Sequence, residues 1–201
     1  MKDISIILVV EDSLSETVAR KILNQSSKNY YISTCLCKGG FGYIKKKINI
    51  FNKASRAMPF LIIVDQDTGC PPDKIKQWFT HDVNPNLIFG IAVMEIESWV
   101  MAHRKAFADF VKIPLNSLPL NMDNIEDPKT FLINITKKSK TKIIKNDIIP
   151  PTGSTTKVGP NYNAQLSKFI NNFWDVNEAI NHSNSLKRAW SKIQNFEPII
   201  N

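Results

Sequence analysis

The chain has 201 residues, of which 43% are hydrophobic and only 7 are glycine, and its formal net charge is +8 at pH 7. This composition is typical of a folded domain with a full core and excludes a disordered or low-complexity chain. No stretch contains the roughly 18 consecutive apolar residues of a membrane-spanning helix. Three cysteines, Cys35, Cys37 and Cys70, cannot all pair internally, so we expect reduced thiols in a cytoplasmic protein without membrane contact.

Strands and helices alternate along the first half of the chain. Apolar runs predict strands at 4–10, 30–37, 60–65 and 87–94, and apolar residues at helical spacing predict helices at 14–26, 43–56, 73–80 and 96–109. The first run ends in Glu11-Asp12 without a small-residue cleavage site, so it indicates a strand rather than a signal peptide. The alternation predicts a mostly parallel, four-stranded, Rossmann-like α/β sheet flanked by helices.

The second half of the chain is expected to be helical. Short helical pieces cover 110–145, with a helix start at Asp127-Pro128. A loop rich in Pro, Gly, Ser and Thr covers 146–163, and helices follow at about 164–173, 174–181 and 184–194. We therefore expect an α/β domain at 1–109 and a helical extension at 110–201, packed on or beside it.

Basic side chains are concentrated in two segments. Residues 28–56 contain seven basic side chains and no acid, and residues 129–157 contain seven lysines and one acid, Asp147. Such polarity favours a polyanionic partner, most simply nucleic acid. A lysine-rich, solvated surface explains the charge equally well.

Acidic side chains follow three of the four predicted strands. Glu11 follows the first strand, Asp65 and Asp67 the third, and Glu95 and Glu97 the fourth. Since the carboxyl ends of parallel strands meet at one edge of a sheet, we expect the five carboxylates to lie close together. A divalent cation would relieve their repulsion, and oxygen ligands suit Mg²⁺ or Mn²⁺. The sequence thus predicts a metal site made by these five residues.

Each acid also has a structural explanation when taken alone. Glu11 and its neighbours Asp12 and Ser13 fit a helix cap. The Asp65-x-Asp67 pair fits a turn before Pro71. The Glu95-x-Glu97 pair fits the first turn of a helix, where the dipole favours acids. Their coincidence at successive strand ends favours the metal site.

The order of these motifs resembles the Toprim fold of type IA and II topoisomerases, bacterial primases and overcoming-lysogenization-defect nucleases. Val10-Glu11-Asp12 is similar to the first Toprim motif but lacks its glycine, and Val64-Asp65-Gln66-Asp67 is similar to the second. With the Glu95-x-Glu97-x-Trp99 segment, "TTKVGPNYN" and "SNSLKRA", the similarity extends over most of the chain to an uncharacterised bacterial Toprim-like family found near mobile elements and defence loci.

This resemblance implies metal-dependent phosphodiester hydrolysis of DNA or RNA, in anti-phage defence and with a possible protein partner from a defence system. It implies that Asp65 and Asp67 hold the metal and that Glu11 is a ligand or a general acid/base. Glu95 or Glu97 would complete a second metal site. Lys38 and Lys157 are the candidates for stabilising negative charge as it develops.

Two further segments are candidates for binding phosphate. The turn Lys38-Gly39-Gly40 precedes a predicted helix, where backbone amides can receive an anion, although an ordinary strand-to-helix turn explains it too. Arg188 is a phosphate ligand or an ordinary surface arginine, and Trp99 is expected in the core. Two alternatives to a nuclease stay open: a catalytically silent nucleic-acid-binding or partner-binding module, and a phosphohydrolase of small nucleotides.

Overall fold

Four parallel strands in the order β2-β1-β3-β4 form the central sheet. The structure is a computed structural model that describes residues 3–37, 39–66, 73 and 76–199. β1 spans Ile4–Val10, β2 Tyr30–Cys37, β3 Phe60–Asp65 and β4 Leu87–Ala92. The predicted α/β fold with a four-stranded parallel sheet flanked by helices is therefore confirmed.

The strand β4 ends two residues earlier than the sequence predicts. Met94 has φ 65°, in the left-handed region, so the backbone there cannot continue a strand. Glu95 then returns to an extended φ of −144° and precedes the next helix. The tight turn at Met94 thus directs the chain from the carboxyl end of β4 straight into the segment that carries Glu95 and Glu97.

Nine α-helices lie within the described residues, and most follow the predicted positions to within a few residues. They are α1 Ser13–Asn24, α2 Gly40–Ala54, α3 Ile96–Ala102, α4 Arg104–Val111, α5 Pro128–Thr136, α6 Lys142–Ile148, α7 Tyr162–Asn172, α8 Val176–Ala179 and α9 Asn184–Gln194. Short 3-10 helices occur at Leu115–Ser117 and Met122–Asn124. The helix predicted at 73–80 falls partly outside the described residues.

The prediction of a single helix at 96–109 is wrong, because the chain forms two helices, α3 and α4, with a break at His103. His103 has ψ 67°, which is not helical. Its ring Nδ1 accepts a hydrogen bond of 3.0 Å from the backbone N–H of Asp175, directly before α8. A contact distant in sequence therefore fixes the break, and helical spacing alone does not reveal it.

The two faces of the sheet are covered by different parts of the chain. Along β3, Leu61 and Ile63 face one core and Ile62 and Val64 face the other, which explains the continuous apolar run. The helix α2 covers the smaller core, which contains Val9, Ile44 and Phe89. The larger core joins the opposite face to α1, α3 and the helices of the second half.

The last helix, α9, packs against β4 through a small-residue contact and a polar anchor. A Cβ on Gly90 would lie 3.5 Å from the Cβ of Ala189, so the helix and the strand approach closely. Asp123 accepts hydrogen bonds from the backbone N–H of Ser185 (2.7 Å) and from the hydroxyl of Ser183 (2.7 Å). The Ser185 hydroxyl in turn accepts from Trp99 Nε1 at 2.7 Å. The "SNSLKRA" segment therefore holds α9 against α3.

Two further sequence predictions concern membranes and thiols. Among the described helices, none combines the length and the apolar character that crossing a membrane requires. Cys35 and Cys37 are half-buried free thiols on β2, and burial together with nearby Glu16 raises the pKa of Cys35 to about 11. Cys70 lies outside the described residues. The high pKa keeps the Cys35 thiol protonated and unreactive at neutral pH.

Candidate acid and metal site at the carboxyl edge of the sheet

Glu11 and Asp65 lie side by side at the ends of the two central strands. Glu11 Oε1 accepts a hydrogen bond of 2.8 Å from the backbone N–H of Asp65. The helix-capping explanation of this region applies to Asp12 instead, because Asp12 Oδ1 accepts from the backbone N–H of Ser15 at 2.8 Å. Glu11 thus contacts the neighbouring strand end, whereas Asp12 caps α1.

The carboxyl group of Asp65 lies in an unfavourable environment for a negative charge. Its Oδ1 atom is buried and has no hydrogen-bond partner among the described residues. Burial raises the pKa of Asp65 well above its usual range, and repulsion from Glu11 and Glu97 raises it further. Asp65 therefore favours a bound proton or a bound cation.

Glu97 is the second buried carboxylate of the site. Glu97 is only 1% exposed and lies in the first turn of α3. Oε1 accepts a hydrogen bond of 3.0 Å from the Tyr162 hydroxyl and lies 3.5 Å from Lys129 Nζ. Oε2 is buried without a hydrogen-bond partner in the described part of the chain. Burial raises the pKa of Glu97, although Lys129 and Tyr162 favour its charged form.

Glu95 contacts the N-terminus of α5. One carboxylate oxygen, Oε2, accepts from the backbone N–H of Lys129 at 2.8 Å, and the other, Oε1, lies 3.3 Å from Lys129 Nζ. The first turn of a helix has N–H groups without intrahelical partners, and an acid there is stabilised by the helix dipole. Both oxygens of Glu95 therefore have protein partners, and Glu95 docks α5 onto the start of α3.

Lys129 is the cation that the described acids share. It interacts electrostatically with Glu97, Glu95 and Asp65. Burial alone would lower the pKa of Lys129, but these carboxylates raise it well above its usual value. Because one lysine faces these three carboxyl groups, a divalent cation would add compensating positive charge when all three are ionised.

Neither Lys129 nor Tyr162 is identified by the sequence analysis. Lys129 follows the correctly predicted helix start, where Asp127 accepts from the backbone N–H of Thr130 at 2.8 Å. Tyr162 begins α7, directly after the loop that contains "TTKVGP". Local sequence indicates the helix start and the loop, but only the packing of α5 and α7 against α3 brings both side chains to the acids.

The remaining predicted site residues make no contact with the acids in the described part of the chain, or are not described. Asp67 and Lys38 lie outside the described residues. Lys157 is exposed and makes no hydrogen bond or ion pair with any described residue. Arg188 is exposed on α9, beside β4. Of the predicted residues, the structure therefore brings together Glu11, Asp65, Glu95 and Glu97.

The glycines of the predicted phosphate turn are explained by the turn itself. Gly39 and Gly40 have φ of 79° and 59°, and Gly39 directly precedes α2. A Cβ at Gly39 would lie only 2.7 Å from the Cβ of Tyr43. Backbone conformation and close contact thus require glycine at position 39 without any ligand.

The donor chemistry of the site fits a divalent metal ion. The unpartnered oxygens of Asp65 and Glu97 are of the kind that Mg²⁺ and Mn²⁺ prefer. Within the described ranges, however, no three Asp, Glu, His or Cys side chains are close enough to hold an ion by themselves. A metal here would need further oxygen ligands from Asp67, water or substrate, as is usual for Mg²⁺.

The fold and the site define a Rossmann-like α/β protein whose acidic side chains gather at the carboxyl edge of a parallel sheet. Ligands of such sheets bind at this edge. Comparisons with protein-family models, with curated proteins and with solved structures find no match. The argument for function therefore depends on the chemistry of the site.

The variant Tyr162→Phe tests the hydrogen bond to Glu97. We expect a loss of about 1–2 kcal/mol in the free energy of unfolding at neutral pH, because the buried carboxylate loses its hydroxyl donor. Without this donor the pKa of Glu97 rises further, so the loss should shrink as pH falls and Glu97 becomes protonated. Urea denaturation at several pH values measures both effects. Tyr31→Phe, at a residue 65% exposed, is the control, and equal stability of the two variants would contradict the prediction.

Proposed function

We propose that this protein is a metal-dependent phosphodiesterase that cleaves DNA or RNA, as its resemblance to Toprim nucleases implies. The observation that supports this most directly is the buried Asp65 carboxyl, which has an unpartnered oxygen and lies between Glu11 and Glu97. A buried acid with a strongly perturbed pKa at a ligand-binding edge is typical of functional sites.

In this proposal Asp65, Asp67 and Glu97 hold Mg²⁺ or Mn²⁺. The metal would polarise the scissile phosphate and stabilise the leaving oxygen. Glu11 is fixed by the Asp65 N–H, so that its carboxylate can accept a proton from an attacking water. Lys129 favours the charged form of Glu97 and limits the repulsion among the acids.

The basic surface is consistent with a polyanionic substrate. Exposed lysines include Lys46, Lys47 and Lys53 on α2 and Lys138 and Lys142 near α6, and none of them is paired with an acid among the described residues. Lys28 differs, because it pairs with Glu197 and thereby serves the fold. Unpaired cations over a wide surface favour a polymer over a nucleotide-sized substrate.

One observation favours a second candidate, a catalytically silent nucleic-acid-binding module. Glu95 and Glu97 are engaged by Lys129 and Tyr162, so part of the acid cluster supports the packing of α5 and α7. If all the acids served the fold, the protein would bind nucleic acid without cleaving it.

The decisive experiment is a cleavage assay with purified protein. Labelled duplex DNA, single-stranded DNA, RNA and a p-nitrophenyl phosphate monoester are incubated with Mg²⁺, Mn²⁺ or EDTA. We expect cleavage of a polymer that EDTA abolishes, and Glu11→Gln and Asp65→Asn should each slow it by about 100-fold or more. Asp109→Asn, an exposed acid paired with Lys105, is the control.

Other outcomes of this assay identify the alternatives. Binding of nucleic acid without cleavage, equal in wild type and variants, would indicate the silent module. Hydrolysis of the monoester alone would indicate a phosphohydrolase of small nucleotides. The proposed role in anti-phage defence, with a partner from a defence system, is tested by phage plaque counts in cells that express wild type or Asp65→Asn.

A further inference from the structure

A basic groove lies between the edge strand β4 and the helix α9. Its volume is about 380 Å³, and its walls include Gly90 and Ile91 of the strand and Arg188 and Lys192 of the helix. Lys76 and one acid, Asp73, also line the groove, so three cations face a single carboxylate there. The groove is separate from the acid cluster, and none of its cations takes part in the reaction proposed above.

The three cations of the groove are poorly compensated by acids. Arg188 is exposed and has no acidic partner in the described part of the chain. Lys76 pairs with Asp73 at 3.0 Å, but this pair is solvent-exposed and therefore weak. Burial lowers the pKa of Lys192, and the positive charges of Lys76 and Arg188 lower it further. A bound anion would relieve this repulsion.

The backbone of β4 also presents polar groups to the groove. The carbonyls of Asn86 and Ala92 accept from Phe60 and Gln66, so the even-numbered peptide groups of β4 face β3. Peptide groups alternate along a strand, and those of Phe89 and Ile91 therefore point outward. Lys192 Nζ donates to the outward carbonyl of Phe89 at 2.7 Å. This bond fixes the ammonium group at the strand edge, beside the outward N–H groups.

The groove lies close to the acid cluster. Ala92, the last residue of β4, is in register with Asp65, and Ile91 in the groove wall is in register with Val64. Neighbouring strands are about 5 Å apart and successive residues rise by about 3.3 Å. The backbone of the groove wall therefore begins within about 10 Å of Asp65, a distance that two or three nucleotides of one strand span.

We propose that the groove binds a backbone phosphate of the nucleic acid that lies two or three nucleotides from the phosphodiester at the acid cluster. Arg188 and Lys192 are the ligands of this phosphate, and Lys76 adds positive charge at the entrance. The identity of the anion as nucleic acid rests on the proposed function, whereas phosphate binding itself does not. The groove thus determines where along a strand the cluster acts.

The test is equilibrium binding in EDTA, so that its outcome does not depend on cleavage. A fluorescein-labelled single-stranded DNA, the matching RNA and inorganic phosphate are titrated against wild type, Arg188→Gln and Arg188→Gln/Lys192→Gln at several salt concentrations. Gln at 192 keeps an N–H donor for Phe89. The control is Lys187→Gln, an exposed lysine next to Arg188 that does not line the groove.

We expect Arg188→Gln to weaken binding of at least one oligonucleotide by about tenfold, as loss of one charged contact does. The slope of log K against log salt should fall by about 0.7 for each lost contact to a single strand, hence by about 1.4 for the double variant. Lys187→Gln should leave the slope unchanged. Thermal denaturation shows whether each variant is folded.

The proposal is overturned if Arg188→Gln binds like wild type, or if Lys187→Gln weakens binding equally, which would indicate a diffuse basic surface. If Arg188→Gln weakens the binding of inorganic phosphate but not of either oligonucleotide, the assignment of the groove to nucleic acid is overturned. Failure of the nuclease proposal would be a separate result, because it would appear as absent cleavage with binding that still depends on Arg188.

Discussion

The variant Asp65→Asn should be more stable than wild type in the absence of metal. Its neutral amide removes a buried negative charge that Glu11 and Glu97 repel. We expect the free energy of unfolding at pH 7 to rise by at least about 1 kcal/mol. For a chain of this size such a gain raises Tm by about 2–4 °C.

The gain should depend on pH in a defined direction. The pKa of Asp65 is raised in the folded state, so folding is favoured when the group is protonated. The stability that protonation supplies is fully present below the unfolded pKa of about 4 and is lost as pH rises toward the folded pKa. The advantage of Asp65→Asn should therefore disappear in acid and grow toward neutral pH, as thermal denaturation across pH measures.

Metal ions should make wild type more stable than Asp65→Asn, which reverses the order expected without metal. A ligand that binds the folded state raises Tm, so Mg²⁺ or Mn²⁺ should stabilise wild type and have little effect on Asp65→Asn. Asp109→Asn is the control, since its carboxylate is exposed and paired with Lys105. Wild type that is more stable than Asp65→Asn in EDTA, or an equal response of both to Mg²⁺, would contradict the proposed role of Asp65.

The sheet was predictable because each strand carries its own signal. β3 is buried on both faces and therefore is apolar without interruption, as the sequence from Phe60 to Val64 is. The errors occur where the backbone departs from the regular conformation that each segment predicts. Met94 ends β4 early in a left-handed conformation, and the hydrogen bond between His103 and Asp175 breaks the predicted helix. Neither feature has a local signal in the sequence.

The acids of the candidate site were predictable from the strands, but the residues that contact those acids were not. The end of a parallel strand is a fixed position, so the adjacency of Glu11 and Asp65 follows from the strand assignments alone. Lys129 and Tyr162 belong to helices whose position depends on packing across more than 30 residues of sequence. Their contacts with Glu95 and Glu97 could not be inferred from spacing.

The variant Lys129→Met should destabilise the protein more than any other single change at the site. It removes the cation that lies 3.3 Å from Glu95 and 3.5 Å from Glu97, and it leaves Glu97 buried as an uncompensated charge. Loss of one partner of a fully buried pair costs about 3–5 kcal/mol. Since the Lys129 side chain is 34% exposed, solvent screening reduces the expected loss to about 2–3 kcal/mol.

Three controls separate the charge effect from simple loss of packing. Lys105→Met removes an exposed ion pair and should cost less than about 0.5 kcal/mol. The double variant Lys129→Met/Glu97→Gln should recover part of the loss, because the amide no longer needs a cation. The loss should also decrease as pH falls and Glu97 takes up a proton, since removal of Lys129 raises the pKa of Glu97 further.

Urea denaturation of the single and double variants measures the coupling between the two residues. Additive losses in Lys129→Met and Glu97→Gln would contradict the view that Lys129 compensates Glu97. Recovery of Lys129→Met by Mg²⁺ would in turn link stability to function, because the metal would then replace the lysine charge at the same carboxylate. Lys129 and the proposed metal would then both favour the charged form of Glu97, and removal of both positive charges would destabilise the acid cluster further.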